Sequence, residues 1–156
     1  LLIKKAKSLG IKIKLDTNGT LPDALESIVK NPETTPDFIA MDIKTSPEKY
    51  KEKINTAENL KDKDIEKLLE RSVKIISTLS DKNYEIRTVL VPHLVEKEDI
   101  KKIAELLPEN AAWRFAQFRN ENCLDPSYND IIPYTDSELS ELVTFAKTLI
   151  TDSVLR

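Results

Sequence analysis

Residues 62–92 read DKDIEKLLERSVKIISTLSDKNYEIRTVLVP, a helix-like segment followed closely by a strand-like one. The spacing predicts a helix from about Asp62 to Leu79, because its apolar residues recur at intervals of three and four and form one stripe. The stripe consists of Ile65, Leu68, Leu69, Val73, Ile76 and Leu79. Tyr84–Val91 is rich in β-branched residues, which predicts a strand that Pro92 ends. A helix followed by a strand is the repeating unit of α/β proteins.

The same alternation continues on both sides of this stretch. Further strands are predicted at Ile11–Asp16, Asp37–Lys44 and Ala112–Arg119. Helix-like segments begin near Pro22, at Ser46-Pro47, at Asp99 and at the capping-box residues Thr135 and Glu138. Repeated strand–helix units predict an α/β fold with a parallel sheet and right-handed crossovers. We expect about four strands with the helices on one face, in a single domain over residues 1–156.

The composition excludes several classes of protein. The chain has 156 residues, 40% of them hydrophobic, and its 24 Lys and Arg against 27 Asp and Glu give a net charge of −3. This balance is typical of a folded domain and argues against a nucleic-acid-binding surface. No apolar run reaches the roughly 18 residues of a membrane span and no signal-peptide pattern opens the chain, so we expect a cytoplasmic protein without a membrane partner. The single cysteine, Cys123, excludes a disulfide framework and a cysteine-only metal or iron–sulfur site in this chain.

The first residues look like the middle of a helix. Leu1 to Ala6 have no capping residue and no initiator Met ahead of them, and Gly10 supplies a helix stop. A processed or tagged N-terminus and a longer protein cut within a helix both account for this start, and we favour the second interpretation.

Charged residues share one face of the predicted strands. Lys12, Lys14 and Asp16 alternate with apolar residues in the first strand, and Asp42 and Lys44 fall on the equivalent face of the second. In the third strand Glu85, Arg87 and Val89 lie on this face, opposite Ile86, Thr88 and Leu90. Buried in a dry interior without partners, such charges cost several kcal/mol each. Ligands of parallel α/β folds bind beyond the carboxyl ends of the strands. The residues at or near these ends therefore predict a polar ligand site: Asp16, Thr17, Asn18, Asp42, Lys44, Gln117 and Arg119, with Arg87 earlier in its strand.

Each of these residues also has a simpler interpretation. Asn18-Gly19 is a common turn dipeptide, and Asp42 and Lys44 can form an ordinary ion pair with Arg87 as their neighbour. A loop position is the simpler interpretation of His93, and a free thiol that of Cys123. Several strand ends point to the same edge of the sheet, and this convergence favours the site.

Several short motifs occur together in a characteristic order. They are LDTNGT at residues 15–20, AMDIK at 40–44, EIRTVLVP at 85–92, QFR at 117–119 and PYT at 133–135. In this order the sequence resembles the activating enzymes of glycyl-radical proteins, which belong to the radical S-adenosylmethionine superfamily. It is most similar to activating proteins of anaerobic ribonucleoside-triphosphate reductase, and next to those of pyruvate formate-lyase. The resemblance implies a partial parallel (β/α)6 barrel.

The resemblance also indicates which part of such an enzyme this chain represents. Family members bind a 4Fe–4S cluster through three cysteines after their first strand and carry a Gly-Gly-Glu motif after their second, and this sequence has neither motif. We therefore expect the carboxyl-terminal two-thirds of a radical S-adenosylmethionine domain, without its cluster-binding part. Such a fragment holds no catalytic residue of its own and is expected to be inactive alone.

The resemblance assigns roles to the polar residues. Lys44 would contact the methionyl carboxylate of S-adenosylmethionine and Arg87 would add a second cationic contact. Asp16, Thr17 and Asp42 match a set of oxygen ligands that can hold a monovalent cation, and Asn18 lies beside them. Arg119 stands where some relatives have a His that reaches toward the cofactor. His93 replaces the Gly usual after this Pro, a position where backbone freedom matters.

The resemblance further implies a reaction and partners. The intact enzyme would cleave S-adenosylmethionine reductively, with flavodoxin or ferredoxin as electron donor, to a 5′-deoxyadenosyl radical that takes hydrogen from a glycine of a glycyl-radical enzyme. Two alternatives stay open, a barrel lyase in which Lys44 forms a Schiff base and a non-catalytic half-barrel for protein interaction. Because the first strand lacks a partner on one side, we also expect edge-to-edge self-association, or cover from another segment such as the tail.

Overall fold

The fold is known from a computed structural model that describes residues 2–54 and 64–156. The helices are α1 (Leu2–Ser8), α2 (Pro22–Lys30), α3 (Pro47–Lys53), α4 (Ile65–Ile76), α5 (Lys97–Ala104) and α6 (Asp136–Leu149). The strands are β1 (Lys14–Thr17), β2 (Phe38–Asp42), β3 (Tyr84–Leu90), β4 (Trp113–Gln117) and β5 (Ser153–Leu155). A 3-10 helix covers Pro126–Asp130. None of the helices described is long and apolar enough to cross a membrane.

The strands form one sheet in which order in space follows order in the chain. Each of the described strands β1 to β5 pairs in parallel with the next. Since each crossover moves one position in the same direction and such crossovers are right-handed, the connecting helices lie on the same face of the sheet. The α/β class and the parallel sheet are thereby confirmed. This strand order is the one found in (β/α) barrels, and closure into a barrel stays a prediction.

The fifth strand is a correction to the four that the sequence indicates. β5 is only three residues long, which is too short for an alternating pattern to be recognised. It pairs with β4 through Trp113–Ser153, Arg114–Val154 and Phe115–Leu155. The tail therefore covers the β4 edge of the sheet, so the expectation that it covers the β1 edge is wrong. Self-association through the β1 edge stays a prediction.

The helix-facing side of the sheet forms the core. Ile39 and Met41 of β2, Ile86 and Leu90 of β3, and Trp113 of β4 are fully buried. They pack in one cluster with the apolar stripe of α4, which supplies Ile65, Leu69, Val73 and Ile76. Burying side chains of this size stabilises the fold by roughly 1.5–3 kcal/mol each. The opposite face carries the charged residues and is called the open face below.

Most predicted boundaries agree with the structure to within three residues. β1 begins at Lys14 rather than at Ile11, because the backbone of Ile11 is bonded to the end of α1 instead of to a strand. The Ile11 N–H donates to the Ala6 carbonyl at the end of α1, where Gly10 has a φ of +74°. The predicted start of the long helix at Asp62 lies outside the described residues, and from Ile65 onward the helix is confirmed.

The capping box that opens the last helix is also confirmed. The Glu138 N–H donates to the Thr135 hydroxyl at 3.4 Å, and the Thr135 N–H donates to the Glu138 carboxylate at 2.8 Å. The Thr135 hydroxyl also donates to the Glu138 carboxylate at 2.7 Å, and this bond, followed by the one from the Thr135 N–H, holds the pKa of Glu138 below its ordinary value. The α6 helix then begins at Asp136.

Candidate functional site

The candidate site lies on the open face, toward the carboxyl ends of β1, β2 and β3. In the parallel register Asp42 lies beside Arg87, and Asp16 lies beside Ala40. Register partners in a sheet project from the same face, so these residues point to one side. The structure thus brings together four of the residues that the sequence singled out: Asp16, Asp42, Lys44 and Arg87.

Arg87 is at the centre of this group and bridges two carboxylates. Its Nη1 lies 2.9 Å from Asp16 Oδ1, and its Nε donates to Asp42 Oδ1 at 2.7 Å. Burial opposes the charged form of Arg87, but the hydrogen bond and charge of Asp42, with the charge of Asp16, outweigh it and hold the pKa of Arg87 above its ordinary value. The β1 and β2 ends are therefore joined through a side chain of β3.

Lys44 extends the group toward solvent. Its Nζ lies 3.3 Å from Asp42 Oδ2, so Asp42 uses one oxygen for Arg87 and the other for Lys44. The Lys44 side chain is 46% exposed and can reach a ligand without losing all contact with water. A Schiff-base lysine needs a desolvated or crowded setting that favours the neutral amine. An exposed ammonium beside a carboxylate is instead suited to hold an anion, so this geometry favours the binding role.

Thr17 and Asn18 serve the turn after β1. The Thr17 hydroxyl accepts the Gly19 N–H at 3.2 Å. Asn18 Oδ1 accepts both the N–H and the hydroxyl of Thr20, at 3.1 and 2.9 Å. The Gly19 carbonyl accepts the hydroxyl of buried Ser72 at 2.7 Å, which fixes the turn to α4. Thr17 and Asn18 thus shape the loop that follows Asp16, and a cation site at Asp16, Thr17 and Asp42 stays a prediction.

Arg119 lies apart from this group. It follows β4 and is exposed, and within the described residues it forms no ion pair. Gln117 donates to the Tyr134 carbonyl at 3.1 Å, and the Arg119 carbonyl lies 3.7 Å from the thiol of Cys123. The end of β4 is therefore occupied by contacts with its own following loop, and a cofactor-binding role for Arg119 stays a prediction.

The open face also holds charged residues outside the candidate set. Glu85 is buried, but it lies on the same face of β3 as Arg87, because side chains two positions apart in a strand point to the same side. Arg156 lies 2.7 Å from its carboxylate and Lys14 lies 3.6 Å away. The strand alternation already placed Lys14 and Glu85 on this face. No sequence signal indicated Arg156, because β5 itself was missed.

Two pockets of similar size open beside the charged group. One of about 230 Å³ is bounded by the ends of β2 and β3, and another of about 260 Å³ lies over β3 and β4. Both are lined by Asp42, Arg87 and Val89. The first adds Ile43, Lys44, Ile54, Val91 and Leu94, and the second adds Thr88, Arg114, Phe115, Ala116 and Arg156. A charged end beside an apolar lining suits a ligand with one polar and one apolar part.

The loop after β3 contains a residue other than glycine with a left-handed backbone. His93 has a φ of +66°, in the left-handed region that favours glycine. Its carbonyl accepts the Lys49 ammonium at 3.2 Å, which ties this loop to α3. The backbone at this position is therefore left-handed, although the position carries a side chain.

An iron–sulfur cluster does not fit the residues of this chain. Its one cysteine, Cys123, lies on the loop after β4, whereas the family's cluster needs three. No group of three or more His, Cys, Asp or Glu side chains is arranged for a metal ion within residues 2–54 and 64–156. Cationic and anionic side chains instead alternate across the open face, with Asp42 between Arg87 and Lys44.

Comparison with known proteins gives one informative relative. The chain matches no protein-family model. It is 32% identical, over 157 aligned residues, to a Methanocaldococcus jannaschii protein named "Putative glycyl-radical enzyme activating enzyme MJ1227". The alignment covers 99% of this chain and 62% of that relative, so the chain spans about three fifths of its length. This similarity supports the predicted resemblance to glycyl-radical enzyme activating enzymes.

Proposed function

We propose that this chain is the carboxyl-terminal part of a radical S-adenosylmethionine enzyme that activates a glycyl-radical enzyme. The observation that carries the proposal is the similarity over 99% of the chain to the M. jannaschii relative, whose name states that role. The partner would be an anaerobic ribonucleotide reductase or an enzyme of the pyruvate formate-lyase type. The 62% coverage of the relative supports a longer polypeptide, in which other residues would hold the cluster.

The open face supports a role in binding the amino-acid end of S-adenosylmethionine. The Lys44 ammonium would pair with the methionyl carboxylate, and charge-assisted bonds of this kind contribute about 1.5–3 kcal/mol. Asp16, with a side chain 59% exposed, would face the positive ammonium or sulfonium group. Arg87 holds Asp16 and Asp42 in place and adds positive charge next to the carboxylate site.

Within this proposal the chain binds and orients, and the reactive chemistry belongs to the cofactors. When bound in the longer polypeptide, the cluster would supply the electron for cleavage of S-adenosylmethionine. The apolar lining beside Lys44, from Ile43, Ile54 and Leu94, would exclude water from the nucleoside end.

The coding sequence upstream of residue 1 gives the first test. We expect it to continue in frame and to encode three closely spaced cysteines after a strand-like segment. An upstream frame that lacks them refutes the proposal.

Binding to the chain gives the second test. We expect nuclear magnetic resonance titration with S-adenosylmethionine to move the backbone signals of Asp42 and Lys44. Lys44→Met should weaken binding about tenfold or more. The control is Lys74→Met, because Lys74 is also ion-paired, with Glu70 at 2.8 Å, but lies on α4. Equal effects of the two variants contradict the assignment of Lys44.

A further inference from the structure

The peptide group between Ile43 and Lys44 is held by two side-chain hydroxyls. It follows the end of β2, just after the Ile43 N–H makes a 2.9 Å bond to the Arg87 carbonyl. Its carbonyl accepts the Thr88 hydroxyl at 2.9 Å. Its N–H, which belongs to Lys44, donates to the Tyr50 hydroxyl at 2.8 Å. Both polar atoms of one peptide group are therefore bound to side chains where the strand ends.

Both hydroxyls lie in the protein interior. Tyr50 and Thr88 are each only 2% exposed. The Thr88 hydroxyl also accepts the indole N–H of fully buried Trp113 at 3.0 Å, so a chain of bonds crosses from β4 through β3 to β2. A buried peptide group that loses such a partner costs about 1–3 kcal/mol, so water does not readily replace these hydroxyls.

The helix that carries Tyr50 is itself fixed to the next loop. At the start of α3, the Ser46 hydroxyl donates to Asp99 Oδ1 at 2.7 Å, and Lys49 Nζ lies 2.7 Å from Asp99 Oδ2. Asp99 is buried and also accepts the Glu96 N–H at the start of α5. The Tyr50 hydroxyl therefore has a defined position relative to the ends of β2 and β3.

We propose that Tyr50 and Thr88 are positioning residues that aim Lys44 at the ligand site. The inference rests on the proposed function, in which Lys44 contacts a ligand carboxylate. Among residues 2–54 and 64–156, the Lys44 ammonium has one ion pair, at 3.3 Å to Asp42, and the side chain is 46% exposed, so these interactions restrict it weakly. The direction of its Cα–Cβ bond is set by the clamped peptide group. Neither Tyr50 nor Thr88 touches the ligand in this proposal.

The hydrogen bond from the Lys44 N–H to Tyr50 can be tested without any ligand. We expect Tyr50→Phe to speed hydrogen exchange of the Lys44 amide at least tenfold, measured by nuclear magnetic resonance. The matched control is Tyr134→Phe, because the Tyr134 hydroxyl also bonds to the backbone, at the Val95 carbonyl 3.1 Å away. Unchanged Lys44 exchange in Tyr50→Phe, or equal acceleration in both variants, overturns the proposal.

The effect on binding is tested by a double-mutant cycle with S-adenosylmethionine as the probe. Tyr50→Phe should weaken binding about five- to tenfold in the unaltered chain and less than twofold in the Lys44→Met chain. Thr88→Val should act like Tyr50→Phe, and Thr88→Ser, which keeps the hydroxyl, should restore affinity. A merely structural role would weaken binding in both backgrounds, and that result, or no weakening in either, overturns the proposal.

The two proposals fail in different ways. If S-adenosylmethionine binds neither this chain nor the longer polypeptide, the role of this site in the proposed function is refuted. In that case the exchange rate of the Lys44 amide still decides whether Tyr50 holds the peptide group.

Discussion

Replacing Arg87 by Met tests whether the open-face group acts as a unit. The substitution removes the bond of 2.9 Å to Asp16 and that of 2.7 Å to Asp42, and it keeps a long apolar side chain. Asp16 is 59% exposed, so its pair with Arg87 contributes only about 0.5 kcal/mol. Asp42 and Arg87 are each about one-third exposed, and losing this charged hydrogen bond costs about 1.5 kcal/mol. The expected loss in the free energy of unfolding is therefore about 2 kcal/mol.

Arg71 provides a matched control for this prediction. It also bridges two carboxylates, Asp23 and Glu26, each at 2.6 Å, but its side chain is 47% exposed on the helix surface. Arg71→Met should lower the free energy of unfolding less than Arg87→Met does, because exposed pairs are weak. Urea unfolding at pH 7 and fixed salt measures both variants. Equal losses for the two arginines refute the reasoning.

A second measurement separates pairing from packing. If Arg87 stabilises the fold mainly by neutralising the charge of Asp42, then Asp42→Asn should lower the free energy of unfolding by about 1 kcal/mol less in the Arg87→Met chain than in the unaltered chain. Additive losses would mean that Arg87 does not stabilise the fold through Asp42, and the electrostatic account of the group would then be wrong.

Three further predictions concern backbone geometry and pH. Gly19→Ala should cost about 2–4 kcal/mol in urea unfolding, because Gly19 has a φ of +71° and an added Cβ would come within 2.1 Å of the Met41 side chain. Gly10→Ala, at a φ of +74° with nothing within 4 Å, should cost only about 1 kcal/mol, and equal costs would contradict the role of Met41. His93 has a φ of +66°, so the variant His93→Gly should be more stable than His93→Ala by about 1 kcal/mol. In a helix the order of the two residues is the reverse, and thermal unfolding of the two variants measures the difference. Burial, with a smaller contribution from the charge of Asp42, raises the pKa of Tyr50 to about 12. Because the Tyr hydroxyl of the unfolded chain loses its proton near pH 10, the free energy of unfolding should fall by roughly 2–3 kcal/mol between pH 10 and pH 12. Tyr50→Phe should remove that part of the alkaline decline in urea titrations, and an unchanged slope would exclude it.

The sequence was sufficient for features that depend on periodicity. The alternation in Tyr84–Val91 predicted a strand with Arg87 and Glu85 on one face and Ile86 and Leu90 on the other, and the structure confirms it. The grouping of Asp16, Asp42, Lys44 and Arg87 follows from the same rule, because carboxyl ends of parallel strands meet at one edge.

Features that depend on a single hydrogen bond or on one strand pairing could not be predicted. The Thr17 hydroxyl accepts the Gly19 N–H in the turn after β1, and no pattern in the sequence indicates that bond. The bond between Tyr50 and the Lys44 N–H joins residues six positions apart, and nothing in a helix-like segment such as PEKYKEK marks one Tyr as a backbone acceptor. β5 depends on pairing with β4 rather than on its own three residues. Such details arise from tertiary contacts, which outweigh local preference.

The strand order has a consequence for how the chain is made. Because each strand pairs with the one synthesised before it, a growing polypeptide can add every new β-strand to an edge that is already present. None of the described strands has to be inserted between two others after release from the ribosome. Assembly can therefore keep pace with translation, with β1 at one edge of the sheet and the newest strand at the other.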